Sequence, residues 1–227
     1  MILLGSLVNG GAIVLGAALG LLFKKMLPER MRSTLLHATS LCSLGIAIPG
    51  LIGNDGNALV PILSLVVGTL IGELLNIDGA MTRLGESLQK RLSGHGSVTE
   101  GFVTASLVFA IGAMAVMGAL QSGLQNEHSI LFAKSIIDGV AAVVFASTLG
   151  IGVAFSGITV FAVEGIMALL SSLIAPYLSD MVVTQITFTG SLLILAISFN
   201  VMGITKIKVL NMVPALILPI FLCMFLK

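Results

Sequence analysis

The chain has 227 residues, of which 57% are hydrophobic and 9% charged, and its mean hydropathy is +1.14. A soluble globular chain is ordinarily about 25% charged, so a water-soluble fold is excluded for want of charge to cover its surface. The net charge of +1 gives no reason to propose nucleic acid as a partner.

A helix needs about 20 apolar residues to cross a hydrocarbon core of about 30 Å. Eight stretches approach that length: 2–22, 35–53, 58–76, 102–124, 130–152, 158–178, 182–203 and 209–226. Only helices or closed barrels satisfy the backbone in lipid, and barrels read as short alternating segments. The expected fold is therefore all-α, a polytopic transmembrane helical bundle of about eight spans in one membrane domain, 1–227.

The first stretch opens Met1-Ile2-Leu3-Leu4 without a basic flank and is read as a retained helix, not a signal peptide. Asn54-Asp55-Gly56-Asn57 makes a turn before the third. Segment 77–99 carries Ile77, Met81, Leu84, Leu88 and Leu92 among charged neighbours, the pattern of an amphipathic linker helix on the membrane surface. Ser97 and Glu100 form a capping box ahead of the fourth stretch. The fifth and sixth are separated only around Gly150-Ile151-Gly152 and Ser156-Gly157. A broken or re-entrant unit there, giving seven spans, is the alternative. Cys42 and Cys223 lie in apolar runs, and His37, His95 and His128 lie far apart, so neither a disulfide nor a metal site is indicated.

Basic flanks are retained on the cytoplasmic side. With eight spans, Lys24, Lys25, Arg30, Arg32, Arg83, Lys90, Arg91, Lys206 and Lys208 fall on one side, and loops 54–57, 125–129 and 179–181 carry no Lys or Arg. The N-terminus is expected outside and 77–99 in the cytoplasm. A shift of 153 residues lays Gly50, Val60, Pro61 and Leu63 over Gly203, Val213, Pro214 and Leu216, and a shift of 154 lays Gly11 over Gly165. Because the first and sixth spans run in opposite directions, 1–76 and 154–227 are expected to be inverted three-helix repeats, with 102–152 between them.

Asn9-Gly10-Gly11 followed by Gly16 and Gly20, the run from Gly72 to Ile77, and Lys134-Ser135-Ile136-Ile137-Asp138-Gly139 leading to Ser147-Thr148-Leu149-Gly150-Ile151-Gly152-Val153 resemble the YqgA/YdfK family of bacterial inner-membrane proteins. The resemblance covers nearly the whole chain and implies a bacterial plasma-membrane location. It implies no activity and no catalytic residue, and it leads one to expect Gln where this chain has Glu164.

Walker, dinucleotide, nucleophile-elbow and HExxH motifs are missing, so no enzyme, organic cofactor or metal is expected. The pairs Gly16/Gly20 and Gly68/Gly72 read as helix-packing surfaces, and with the small size they make a homodimer an expectation. Polar groups inside apolar spans are costly and point to function. They are Asn9, Gln121, Lys134, Asp138, Glu164 and Asn200. Glu73, one turn from a helix end, is read as reaching the headgroups.

Lys134 and Asp138 share a helix face at i and i+4. Counting from the expected span ends, Asp138 lies about 12 Å below the outer end and Glu164 about 9 Å from the inner end. The two acids are expected to bracket a midplane site from above and below rather than to meet, with Asn9 alongside. The leading expectation is a secondary-type transporter or channel for a small solute or ion, with proton coupling through Glu164. The alternative is a non-transporting membrane scaffold or regulator.

Overall fold

The computed structural model of the protein describes residues 1–26, 28–52, 58–80, 83, 98–111 and 113–225. Among the described residues the helices used below are, in chain order, α1 Leu4–Met26, α2 Glu29–Ile52, α3 Leu59–Leu75, α4 Val98–Ala110, α5 Ala113–Gln125, α6 Ser129–Leu149, α7 Gly152–Leu169, the single turn α8 Ser171–Ile174, α9 Asp180–Val201 and α10 Leu218–Phe225. Among the described residues there is no strand, and the fold is an all-α bundle.

Among the described residues, four helices are long and apolar enough to cross a membrane by themselves: α1, α6, α7 and α9. The pair α4 and α5, bent by 62° at their junction, forms a fifth candidate. Shorter apolar helical stretches at His37–Ile52, Leu59–Leu75 and Val209–Met224 occupy the remaining places expected from the sequence.

Three details depart from the sequence reading. The break falls inside the fourth stretch, whereas α6 and α7 are separate helices, each long enough to cross. They divide at Gly150, whose φ of +88° is a left-handed conformation open to glycine. Helix α7 begins at Gly152, not near 158, and the chain beyond it closes through a 3₁₀ turn, Ala175–Tyr177, that contains Pro176. The eighth stretch is a 3₁₀ segment, Val209–Leu216, followed by α10, because Pro214 cannot donate to a continuous α-helical ladder. The start of α9 has an ordinary cause: Ser179 Oγ accepts from Val182 N, and Asp180 sits in the positive first turn.

Helix α1 packs against α6 and α7, α4 against α7, α9 against α2, and α3 against the Val209–Leu216 segment. Small residues make the closest of these approaches. A Cβ at Gly16 would come within 3.0 Å of the Gly139 carbonyl carbon, and one at Gly20 within 2.9 Å of Ala146 Cβ. On either Gly10 or Gly157, a Cβ would meet the other's carbonyl oxygen at 2.7 Å. Both Gly-x-x-x-Gly pairs are packing surfaces, since Gly68 and Gly72 abut Ala215 and Asn211.

The central core contains Ile13, Ala105, Phe109, Phe145, Val153 and Val160, with the Phe109 and Phe145 rings stacked at 5.6 Å. The periphery is equally apolar: Leu15, Leu22, Ile136, Val140 and Ile158 are exposed, as a lipid-facing surface requires.

The two ends of the bundle differ. At one end Lys24 Nζ donates to the Thr148 carbonyl at 3.4 Å, Lys208 pairs with Glu73 at 2.8 Å, and Val98 abuts Gly152. At the other the Met1 ammonium donates to Asn126 Oδ1 at 3.1 Å, and Ser122 Oγ lies 2.9 Å from His128 Nδ1. Most of the expected 77–99 linker, including Ser97, and the 54–57 turn lie outside the described residues.

Candidate functional site

The hairpin of α6 and α7 sets the height of the site. Asp138 lies eleven residues before Leu149, and Glu164 twelve after Gly152, so each stands about 17 or 18 Å from the turn that joins their helices. The two acids are therefore level. The expected vertical separation fails because it placed the start of the sixth span six residues too late.

Helix α1 crosses the hairpin and places Asn9 between the acids. Asn9 Nδ2 donates to Asp138 Oδ2 at 3.1 Å and to Glu164 Oε1 at 2.9 Å. Lys134, one turn before Asp138, pairs with it directly, and its Nζ is 3.7 Å from Glu164 Oε1. Its third contact is the carbonyl oxygen of Phe109, at 2.6 Å. That carbonyl belongs to the last turn of α4, where the break leaves acceptors unpaired and the helix dipole is negative, a natural seat for an ammonium. Asn9 and Glu164 are wholly buried, and Lys134 and Asp138 nearly so.

Although Lys134 lies near the start of α6, where a long cation can reach a surface, its side chain is buried. Its ammonium is turned inward to three oxygens, the Phe109 carbonyl, Asp138 Oδ2 and Glu164 Oε1. Two atoms of the quartet, Asn9 Oδ1 and Glu164 Oε2, have no hydrogen-bond partner among the described residues.

A cavity of about 280 Å³ adjoins the charged pair, bordered by Pro49, Val108, Lys134, Asp138, Ser191 and Ile194. A second, of about 240 Å³, opens at the Lys208 end beside Asp78, Glu100, Thr104, Ile197 and Asn200. Thr104 and Val108, like Ile194 and Ile197, are about one helical turn apart, so both cavities follow the seam between α4 and α9.

Asn9, Lys134, Asp138 and Glu164 meet; the other two sequence candidates do not join them. Gln121 is half-buried on α5 with Oε1 unpartnered. Asn200 serves a local turn, accepting from Thr205 Oγ1 at 2.7 Å and Ile207 N at 2.9 Å, and donating to the Ile207 carbonyl at 2.7 Å. Glu73 binds Lys208 and the buried Asn211, whose Oδ1 accepts from Asp78 N at 2.7 Å. Sequence reasoning missed Phe109, because its contribution is a backbone carbonyl freed by the break. The available signal was Gly112 in the middle of an otherwise unbroken apolar run.

Outside the spans, Lys208 is held above its ordinary range by its hydrogen bond to Glu73. Glu127 is held below its own by hydrogen bonds from Ser129 and His128 at the start of α6.

An all-α bundle of apolar helices with an ionisable quartet buried at a helix break is a multi-pass membrane protein. The chain belongs to the family described as protein of unknown function DUF554, whose model matches residues 4–224. It is similar to the uncharacterised membrane protein YdfK of Bacillus subtilis (strain 168), 28% identical over 218 residues covering 95% of this chain and 93% of the relative. It is also similar to the uncharacterised protein YqgA of Escherichia coli (strain K12), 31% identical over 221 residues, 95% and 94% of the two chains. No solved structure matches.

Proposed function

We propose that the protein is a secondary-type transporter or channel that carries a small solute or ion across the bacterial plasma membrane, with the quartet and its cavity on the path. The observation that carries this reading is the interrupted α4–α5 span, whose free carbonyl end meets Lys134, Asp138, Glu164 and Asn9 beside a cavity large enough for a small solute. Discontinuous helices whose ends face ionisable groups near the bilayer midplane are how many transporters build substrate and ion sites. The 240 Å³ cavity one turn further along the same seam supplies an approach from the Lys208 end.

That end is cytoplasmic in this reading, with the N-terminus outside, because the basic residues gather there. A cysteine at Ser87 in a cysteine-free background tests it: labelling by an impermeant reagent from outside sealed cells overturns the orientation.

Alternating access follows from the repeat. Helices α1, α2 and α3 pair with α7, α9 and the 209–225 segment in an antiparallel sense. Gly10 faces Gly157 and Leu3 faces Gly165, while Gly68 faces Ala215 and Gly72 faces Asn211. An experimental structure in which 1–76 and 154–227 fail to superpose about an axis in the membrane plane overturns the repeat.

A scaffold is the second reading, favoured by the pairing of Lys134 with Asp138 and the Phe109 carbonyl, since a paired buried charge can serve packing specificity alone. Flux in liposomes separates the two. Transport predicts flux of at least one solute of a broad panel and a roughly tenfold or greater loss in Asp138→Asn, equal to about 1.4 kcal/mol of barrier. Folded protein passing no solute, or Asp138→Asn passing it unchanged, favours the scaffold.

A further inference from the structure

Asn9 Oδ1 and Glu164 Oε2 are both wholly buried and both without a partner among the described residues. They belong to two side chains already joined at their other ends, where Asn9 Nδ2 donates to Glu164 Oε1 at 2.9 Å. A primary amide and a carboxylic acid are complementary groups: the amide N–H donates to the acid carbonyl, and the acid O–H donates to the amide carbonyl. The first of these bonds is present, and the second requires a proton on the acid. An ionised carboxylate is an acceptor alone and would leave both oxygens bare in a dry interior.

Charge counting gives the same number. With both acids ionised the quartet carries one positive and two negative charges. Among the described residues, the other charged groups of the helices around the quartet lie near helix ends, those of α2 (Glu29, Arg30 and Arg32) in its first turn. Helix α1 has only Lys24 and Lys25, at its far end; α4 has only Glu100, in its first turn; α9 has only Asp180, in its first turn. Helices α5 and α8 have no charged residue, α7 none besides Glu164, and α6 none besides Lys134 and Asp138. One added proton makes the cluster neutral.

Of the two acids, Asp138 takes the direct contact with Lys134 and a bond from Asn9, and it borders the cavity. Glu164 stands 3.7 Å from the ammonium and has the bare oxygen.

We infer that Glu164 is the proton-carrying group of the site: Oε2 holds a proton and donates it to Asn9 Oδ1, closing a cyclic acid–amide pair. Loading takes one proton from water onto Oε2, and unloading returns it to water; no other covalent bond changes. Unloading leaves the quartet with a single negative charge. The use of this proton to drive solute movement rests on the transport reading above, whereas the acid–amide pair does not.

Infrared difference spectroscopy of the purified protein in lipid nanodiscs tests the pair at neutral pH. A protonated-carboxyl carbonyl band is expected in the wild type, retained in Lys134→Met, lost in Glu164→Gln, and moved in Asn9→Leu to the position of an acid without an amide partner. Glu164→Gln reproduces the loaded geometry, with its amide N–H donating to Asn9 Oδ1, so its melting temperature is expected to be no lower than the wild type's and above that of Glu164→Ala.

A wild type without the band, a band that survives Glu164→Gln, or a Glu164→Gln protein as unstable as Glu164→Ala overturns the assignment. Proteoliposomes with an imposed proton gradient keep the two readings apart. With the band present and no gradient-driven flux, the transport reading falls and the proton assignment stands; with flux present and no band, the assignment alone falls.

Discussion

Replacing Lys134 by Met retains most of the side-chain volume and removes the ammonium. In the folded protein that side chain is 7% exposed, Asp138's is 9% and Glu164's 0%, so no water compensates for the loss. At an effective dielectric of about 20, a directly paired ammonium and carboxylate such as Lys134 and Asp138 are worth about 4 kcal/mol before desolvation. Breaking a buried pair by deleting one member ordinarily costs about 3–5 kcal/mol. Lys134→Met and Asp138→Asn are each expected to lower the unfolding free energy by about 3–5 kcal/mol, one stranding a carboxylate and the other an ammonium. The double substitution removes both charges and leaves the Phe109 carbonyl without its donor, a cost of about 1–3 kcal/mol. The resulting coupling energy is at least about 3 kcal/mol. Equilibrium unfolding in mixed micelles, followed by far-ultraviolet circular dichroism, measures all four corners of the cycle. Single substitutions costing under about 1 kcal/mol, or costs that add to within about 0.5 kcal/mol, would refute the buried ion pair.

Gly72→Ala is expected to cost about 1–3 kcal/mol, because the new Cβ would stand 2.8 Å from Asn211 Cα with backbone unable to yield. Gly11→Ala, with no atom within 4 Å of the new carbon, should instead be neutral or gain about 0.5–1 kcal/mol of helix stability; a matched pair of melting curves checks both. Asn200→Leu unties the turn that Thr205 and Ile207 make on it and should raise the rate of limited proteolysis within 202–208 severalfold. The carboxylate of Glu127 has its pKa depressed below 4.5 by the start of α6. Its contribution is present above 4.5 and fades as pH falls through the lower folded value. Glu127→Gln should flatten that acid limb of a melting-temperature profile, and an unchanged limb would show that the cap bonds carry no charge dependence.

Helix existence was legible throughout, because each apolar run has to supply its own backbone partners in lipid. Continuity was not. Apolarity reads 102–124 as one run and is blind to the stop at Ala110 and the restart at Ala113. Gly152, Ser156 and Gly157 read as punctuation, yet they are the packing face of α7: Gly152 abuts Val98, and Gly157 abuts Gly10. That one misreading displaced Glu164 by half a bilayer leaflet. The identity of the quartet survived it, since ionisable groups in apolar helices are costly enough to stand out without any knowledge of depth. Polarity alone also selected Gln121 and Asn200. It does not distinguish a side chain that joins helices 129 or 155 residues apart, as Asn9 does, from one that ties a seven-residue turn.

The position of α1 also constrains how the molecule is made. Asn9 emerges from the ribosome 129 residues ahead of Asp138 and 155 ahead of Glu164. At about 5–20 residues per second, the first helix waits roughly 6 to 30 s in the bilayer before its partners exist. Gly16 and Gly20 wait with it, for Gly139 and Val143 are translated equally late. A helix inserted well before its partners is therefore among the last to be locked. A nascent chain halted at Gln125 presents an open glycine seam and an unmated amide to the surrounding lipid, marking it as unfinished to the membrane's insertases and proteases.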